Sequence, residues 1–507
     1  MSLLPEGFRF GTAIASFQTE GGINGPGEPE NNFYVWERAG LVGRKDISGI
    51  AVDFWNRYEE FLDLAVAAGC DAFRFSLEWA RIQPKADMVD DDALSHYNAI
   101  VAGCVERGMQ PLVTLCHWTH PRWLGEDFWL QDDSPEVFSG YARLAVSRLS
   151  KHCSNWVTIN EPNALVMLSY LFGVFPPGIK SVAKSLEAAG NLIAAHVRAY
   201  ETIHEIQPDA MVTINSACAS VYELDRMLID LLSLKAFGVG RDDVSQWIDE
   251  RRQVWYDALE PAGRGEQLVR LAASRAVSRQ QLTKGMREAV EMFVPSRKRI
   301  SSRSSPEGPL CTMLETSTLL DTVYRSAYDI ALDMVGIDYY NPVASKHLVA
   351  PGMKTSGGRW WLPLRSAWDD IIYPEGLYYY ARANMTADLP IWIVENGMST
   401  RVVRGQSFPR RDGWTRPQFI RETLGVLVRS IEEGIPVEAY FHWSLMDNYE
   451  WGDYQPRLGL YGIDRERGLK ILSTDSMGDD SAGEYRRVIE GLRRGDLSVL
   501  EQQPGQH

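Results

Sequence analysis

At 507 residues the chain is long for one domain, but α/β barrels with insertions reach and exceed about 400 residues, so one large domain over residues 1–495 is the expectation. Composition is that of a globular protein, 45% hydrophobic and 23% charged, and 52 Lys and Arg against 67 Asp and Glu leave a net charge of −15, which disfavours nucleic acid and anionic membranes as partners. The amino terminus has no basic region ahead of an apolar stretch, and no segment approaches about 18 uninterrupted apolar residues, so a cytoplasmic protein without membrane insertion is expected.

In chain order, short β-type runs fall at Phe8 to Ser16, Ala72 to Trp79, Pro111 to Trp118, Trp156 to Asn160, Met211 to Ala217, Met334 to Tyr340, Ile391 to Gly397 and Ala439 to Leu445. Helical patterns lie between most of them, such as Asp53 to Gly69 and Asp92 to Gly108, each closing on a glycine as helix C-termini often do. Near-continuous apolar strands alternating with helices imply parallel pairing, and eight such units predict a closed (β/α)₈ TIM barrel, an α/β fold. An open nucleotide-binding sheet would carry Gly-x-Gly-x-x-Gly after its first strand, and the stretch after Phe8 to Ser16 lacks it. From about 224 to 322 the spacing stretches, which predicts a long insertion after the fifth strand, and residues 496–507 read as a polar, frayed tail.

The six cysteines (Cys70, Cys104, Cys116, Cys153, Cys218 and Cys311) are dispersed without a Cys-x-x-Cys pair or a nearby histidine at metal spacing, which predicts buried reduced thiols and no metal. Sixteen Trp and 21 Tyr offer flat faces that suit sugar rings, although such residues are also common core filler.

Two glutamates have similar settings: Glu161 in Thr-Ile-Asn-Glu-Pro and Glu395 in Ile-Val-Glu-Asn-Gly, each ending an apolar run. Barrels gather their catalytic groups on the loops at the carboxyl ends of the strands. Two carboxyls meeting there have the arrangement of glycoside cleavage, in which one protonates the leaving oxygen and the other attacks or activates water. Other unusual polar and aromatic residues also track strand ends: Gln18, Glu20, Arg74, His117, Trp118, Asn160, Tyr340, Trp443, Glu450 and Trp451.

On these residues, and on the segments Phe-Arg-Phe-Ser-Leu-Glu-Trp-Ala-Arg-Ile-Gln-Pro, Thr-Leu-Cys-His-Trp, Tyr-Pro-Glu-Gly-Leu and Trp-Ser-Leu-Met-Asp-Asn-Tyr-Glu-Trp, the chain resembles glycoside hydrolase family 1, the β-glucosidases and β-galactosidases. The resemblance implies a retaining double displacement on a small-molecule β-glycoside, without a cofactor. Glu161 would be the acid/base and Glu395 the nucleophile. Asn160 would bind the 2-hydroxyl, and Gln18, His117, Glu450 and Trp451 the other hydroxyls of the nonreducing sugar. Trp443 would give a stacking floor, Trp368 would lie beside the leaving group, and Arg74 and Tyr340 would support Glu395. Glu20 reads as scaffolding.

The chain also departs from the family pattern. Asp338 stands where the family usually has Asn, and it could either repel Glu395 or hold a proton and donate it. Thr119-His120-Pro121 replaces the more usual Asp-Leu-Pro, which suggests a different leaving-group side. The alternatives to a β-glucosidase are a 6-phospho-β-glycosidase, against which the charge of Glu450 argues, a transglycosylase, and a barrel that binds carbohydrate without catalysis.

Overall fold

The alternation read along the chain folds into parallel ladders. A computed structural model describes residues 3–42, 45–218, 222–259, 318–340, 372–404 and 406–501. Its strands are β1 Arg9–Ala13, β2 Ala72–Ser76, β3 Gln110–Cys116, β4 Asn155–Ile159, β5 Met211–Thr213, β6 Asn215–Ala217, β7 Val335–Tyr339, β8 Ile391–Asn396, a separate hairpin of β9 Arg401–Val403 and β10 Gln406–Phe408, β11 Val437–Trp443, and a second small pair of β12 Ile463–Asp464 and β13 Lys470–Ile471. The main sheet runs β5-β4-β3-β2-β1-β11-β8-β7-β6, every ladder parallel.

β5 and β6 are separated by Ile214 alone, so the two ends of that order are one stretch of chain. Its first half pairs with β4 and its second with β7, which closes the (β/α)₈ barrel. Each predicted strand is present. Several are shorter at the carboxyl end than the apolar run suggested, because that end passes at once into short helices such as Ser16–Thr19 and Trp79–Ile82. The predicted helices are Phe54–Ala67 and Asp91–Glu106, followed by Gly69 and Gly108 at φ +86° and +74°, a left-handed turn that costs other residues a Cβ clash.

Side chains alternate across each strand, so every barrel strand feeds two cores. A large outer core lies between strands and helices, with Phe73, Phe75, Ile337, Ile391 and Ile393. A smaller inner one contains Ala72, Leu112, Val157, Met334, Trp392, Val394, Phe441 and Trp443. The inner apolar layer gives way toward the carboxyl ends of the strands to polar residues at matching positions, and these form the site.

The stretch read as a long insertion contains helices among its described residues. It begins with helices Tyr222–Asp225, Met227–Leu232 and Val244–Leu259 and ends with Thr318–Arg325. Arg226 anchors it, donating to Asp230 at 2.8 Å and to the Asn384 carbonyl at 2.6 Å, all within the protein interior. Residues 260–317, Cys311 among them, lie outside the described residues, and so does Trp368. The expected frayed tail needs correction at its start: Leu497–Leu500 form a 3₁₀ turn that buries Val499, because the apolar pair Val499 and Leu500 finds the end of helix Ser481–Arg493 to pack on. Among the described residues, no helix is long and apolar enough to cross a membrane. The five described cysteines are buried and form no disulfide with one another.

Candidate active site

A β-bulge decides where Glu395 points. On β8, Ile391 and Ile393 face the outer core while Trp392 and Val394 face inward, so plain alternation would send residue 395 outward with the isoleucines. The register shows otherwise. Ile337 of β7 pairs with Ile393, but the next residue, Asp338, pairs with Glu395, and on the other side two β8 residues oppose Phe441 alone. The extra residue is Val394, and it turns Glu395 into the barrel. Arg74, inward-facing on β2, bonds the Val394 carbonyl at 3.2 Å and Glu395 Oε1 at 2.5 Å, holding bulge and carboxylate together. Tyr340 donates to Glu395 Oε2 at 2.7 Å.

Gly397 closes the same segment. A Cβ at this position would collide with the Trp443 carbonyl oxygen of β11. Gly397→Ala is therefore expected to push the two strands apart and cost about 1–3 kcal/mol, read as a lowered denaturant midpoint. An unchanged midpoint would show that the contact relaxes freely.

Glu161 follows β4 and caps helix Pro162–Val166 with a left-handed backbone, φ +38° and ψ 60°. Trp118 and Trp451 share this uncommon sign at φ +71° and +49°, so three non-glycine residues of the site are held in a disfavoured conformation. Asn160 is fixed from every side: its Oδ1 accepts from Arg74 at 2.5 Å and Asn215 at 2.8 Å, its Nδ2 lies 3.3 Å from His117 Nε2, and its carbonyl accepts from Trp118 Nε1 at 3.0 Å.

Oxygens of Glu161, Asp338 and Glu395 all lie within 4.8 Å of one another. All three residues are buried, and the Arg74 guanidinium is the cation that meets them. Burial first, and then the charge of Glu395, push Glu161 up to about 8. Burial, then Glu395 and Glu161, hold Asp338 well above the usual carboxylate range. His117 is pushed well below the usual imidazole range by burial and by Arg74, which leaves it neutral.

A second polar group adjoins this one. Gln18 donates to Glu450 at 3.1 Å and to Asn448 at 3.3 Å, and Trp443 Nε1 donates to Glu450 at 3.3 Å. The His117 ring lies nearly parallel to those of Trp443 and Trp451, at 5.9 and 6.1 Å. Burial pushes Glu450 up to about 8, so the charge expected there is partly absent at neutral pH. The case against a phosphate at this place now rests on its neutral partners Gln18, Asn448 and Trp443.

Of the residues singled out in the sequence, the barrel brings Gln18, Arg74, His117, Asn160, Glu161, Asp338, Tyr340, Glu395, Trp443, Glu450 and Trp451 to one end. Glu20 is buried against Arg81 and Tyr97 at 3.0 and 2.7 Å, as scaffolding would be. The expectation for Thr119 and His120 needs revision: Thr119 donates to buried Glu78 at 3.0 Å and His120 Nε2 meets the Gly125 carbonyl at 3.0 Å, so both support loops. Asn215 was missed. It donates to both Asn160 and Asp338, and its signal was a repeated tetrapeptide, Val157-Thr158-Ile159-Asn160 and Val212-Thr213-Ile214-Asn215, on adjacent strands.

A closed parallel barrel with paired carboxyls at the carboxyl ends of its strands is the build of a glycoside-cleaving enzyme. The chain belongs to glycosyl hydrolase family 1, whose sequence profile matches residues 1–237 and 326–490. It is 26% identical over 500 residues to Beta-glucosidase A of Thermotoga maritima, covering 96% of this chain and 97% of that one. To a Beta-glucosidase of an Agrobacterium species it is 28% identical over 517 residues, covering 98% and 97%. In fold it is similar to a solved structure of the Thermotoga maritima Beta-glucosidase in complex with deoxynojirimycin, with a TM-score of 0.65 at 23% identity over 97% of this chain and 99% of that one.

Proposed function

We propose that the protein is a retaining β-glycosidase that removes a nonreducing terminal β-D-glucosyl unit by double displacement, with Glu395 as nucleophile and Glu161 as acid/base. The observation that carries this reading is the short separation of the two buried carboxyls, within 4.8 Å, with Arg74 and Tyr340 on Glu395 alone. Retaining pairs stand about 5–5.5 Å apart, whereas inverting pairs need about 6.5–9.5 Å to admit a water. The asymmetry of partners divides the roles. Two donors hold Glu395 in line, one on each oxygen, while burial and then the charge of Glu395 keep the proton on Glu161.

In the first step Glu395 attacks the anomeric carbon as Glu161 protonates the departing oxygen, and the charge of Glu395 disappears into the ester. The main electrostatic cause of proton retention on Glu161 goes with it, so Glu161 becomes the base that takes a proton from water. Asn160, held by Arg74 and Asn215, faces the sugar 2-hydroxyl, while Gln18, His117, Glu450 and Trp451 take the remaining hydroxyls over Trp443. Glucose as the sugar is supported by the named activity of the relatives. Buried cysteines without disulfide bonds among them support a cytoplasmic location, which recovery of the native enzyme from a secreted fraction would contradict.

The decisive test is Glu395→Ala. It should lose hydrolysis of aryl β-glucosides, and added azide should restore turnover and yield the α-glucosyl azide, the product of a single inversion. Turnover by the variant without azide, or a β-configured azide, would reject Glu395 as nucleophile.

A further inference from the structure

Two carboxyls suffice for double displacement, yet three share this site. Asp338, the next-to-last residue of β7, lies wholly inside the protein. The groups that face it come from several elements: Asn215 of β6, Glu161 after β4, Glu395 of β8, Arg74 of β2, and Tyr340 after β7. Asn215 Nδ2 donates to Asp338 Oδ2. The other oxygen, Oδ1, meets no N–H or O–H donor. Carboxyl oxygens of Glu161 and Glu395 lie within 4.8 Å of an Asp338 oxygen, and two carboxyl oxygens can bond to one another only when one of them holds a proton.

Charge counting gives the same answer. Arg74 supplies one positive charge, already engaged with Glu395 at 2.5 Å. Ionising all three carboxyls would leave two uncompensated buried charges side by side, an arrangement proteins avoid by retaining protons. We propose that Asp338 is a positioning residue that keeps a proton of its own and donates it to Glu161, so that the resting site carries two protons on three carboxyls. This rests on Glu161 being the acid/base. The bond occupies one oxygen of Glu161 and leaves the other to present its proton to the leaving group.

The cycle balances around this bond. When the glycosidic bond breaks, the proton of Glu161 departs with the aglycone, Glu395 forms the ester, and the new charge on Glu161 is met by the Asp338 O–H. When water attacks, its proton goes to Glu161, its oxygen goes to the anomeric carbon, and Glu395 is released as carboxylate. Asp338 keeps its proton throughout. Burial and then the neighbouring carboxyls Glu395 and Glu161 raise Asp338 above the ordinary carboxyl range, in agreement with a retained proton.

The test is the alkaline limb of kcat/KM on an alkyl β-glucoside, wild type against Asp338→Asn. A carboxylic O–H stabilises ionised Glu161 more than an amide N–H does, so replacing a protonated Asp338 moves the limb to higher pH, by about half a unit. Were Asp338 ionised, its charge would be holding the proton on Glu161, and the substitution would move the limb to lower pH. A downward shift or an unmoved limb overturns the proposal. Should Asp338→Asn fail to fold, Asp338→Ser, a smaller neutral donor, carries the same sign. Wild type on 2,4-dinitrophenyl β-glucoside separates the two readings: its departure needs no proton, so a full alkaline limb there would reject Glu161 as the acid. An unmoved limb on the alkyl glucoside alone rejects only the role of Asp338.

Discussion

Removing the carboxyl of Glu161 as Glu161→Ala is expected to lower kcat/KM roughly 10²- to 10⁴-fold on a sugar or alkyl leaving group, the usual worth of general acid catalysis, and by less than about 10-fold on 2,4-dinitrophenol, which departs unaided. The pH profile gives the same residue a second signature. Wild-type activity should fall as pH rises through about 8, where Glu161 loses its proton, and this limb should vanish in the variant. Stability should fall in the same direction of pH. A carboxyl whose folded value lies above its unfolded 4.5 binds more protons folded than unfolded, so its contribution to stability is lost as pH rises between 4.5 and about 8. Glu161→Ala escapes that penalty, and its melting temperature relative to wild type should climb from pH 5 to pH 8. Equal loss on both leaving groups would place Glu161 outside the acid role.

Arg74→Met should be the most damaging single change in the barrel interior. The guanidinium holds Glu395, Asn160, Thr114 and the bulge carbonyl of Val394. Both ion-pair partners are buried, Arg74 at 1% and Glu395 at 6% side-chain exposure, so water cannot replace the lost charge. Breaking such a pair costs about 3–5 kcal/mol. Activity should drop with stability, because both the attacking carboxylate and the Asn160 amide lose their fixed orientation. Arg74→Lys should recover part of the stability and little of the activity, since an ammonium cannot span Glu395 and Asn160 as a planar fork does. A destabilisation of Arg74→Met below about 1 kcal/mol with activity intact would show that the pair is dispensable.

Much of this architecture could be read directly. Apolar runs at regular spacing, with helices that stop at Gly69 and Gly108, specify alternating strands and helices because backbone hydrogen bonding and side-chain periodicity are local properties. The strand-end residues could be found because a polar or charged group closing an apolar run is conspicuous in one dimension. Two other features were harder to see. Asn215 looked like a strand interior residue, since its partners Asn160 and Asp338 are 55 and 123 positions away. Thr119 and His120 suggested a different leaving-group side because they replace the family's more usual Asp-Leu, but the chain turns at Trp118 and buries both against loop partners.

From sequence alone came the barrel, its eight repeats and the pair Glu161 and Glu395, since each depends on periodicity or on a contiguous motif. The tertiary structure decided what those motifs could not carry. The Val394 bulge turns Glu395 inward against its own alternation, a matter of register between β7, β8 and β11. Closure of the sheet through the break at Ile214 brings Asp338 beside Glu161 and Glu395. Whether a carboxyl there repels or donates depends on the charges and donors within a few ångströms, and distances between remote segments exist only once the barrel has closed.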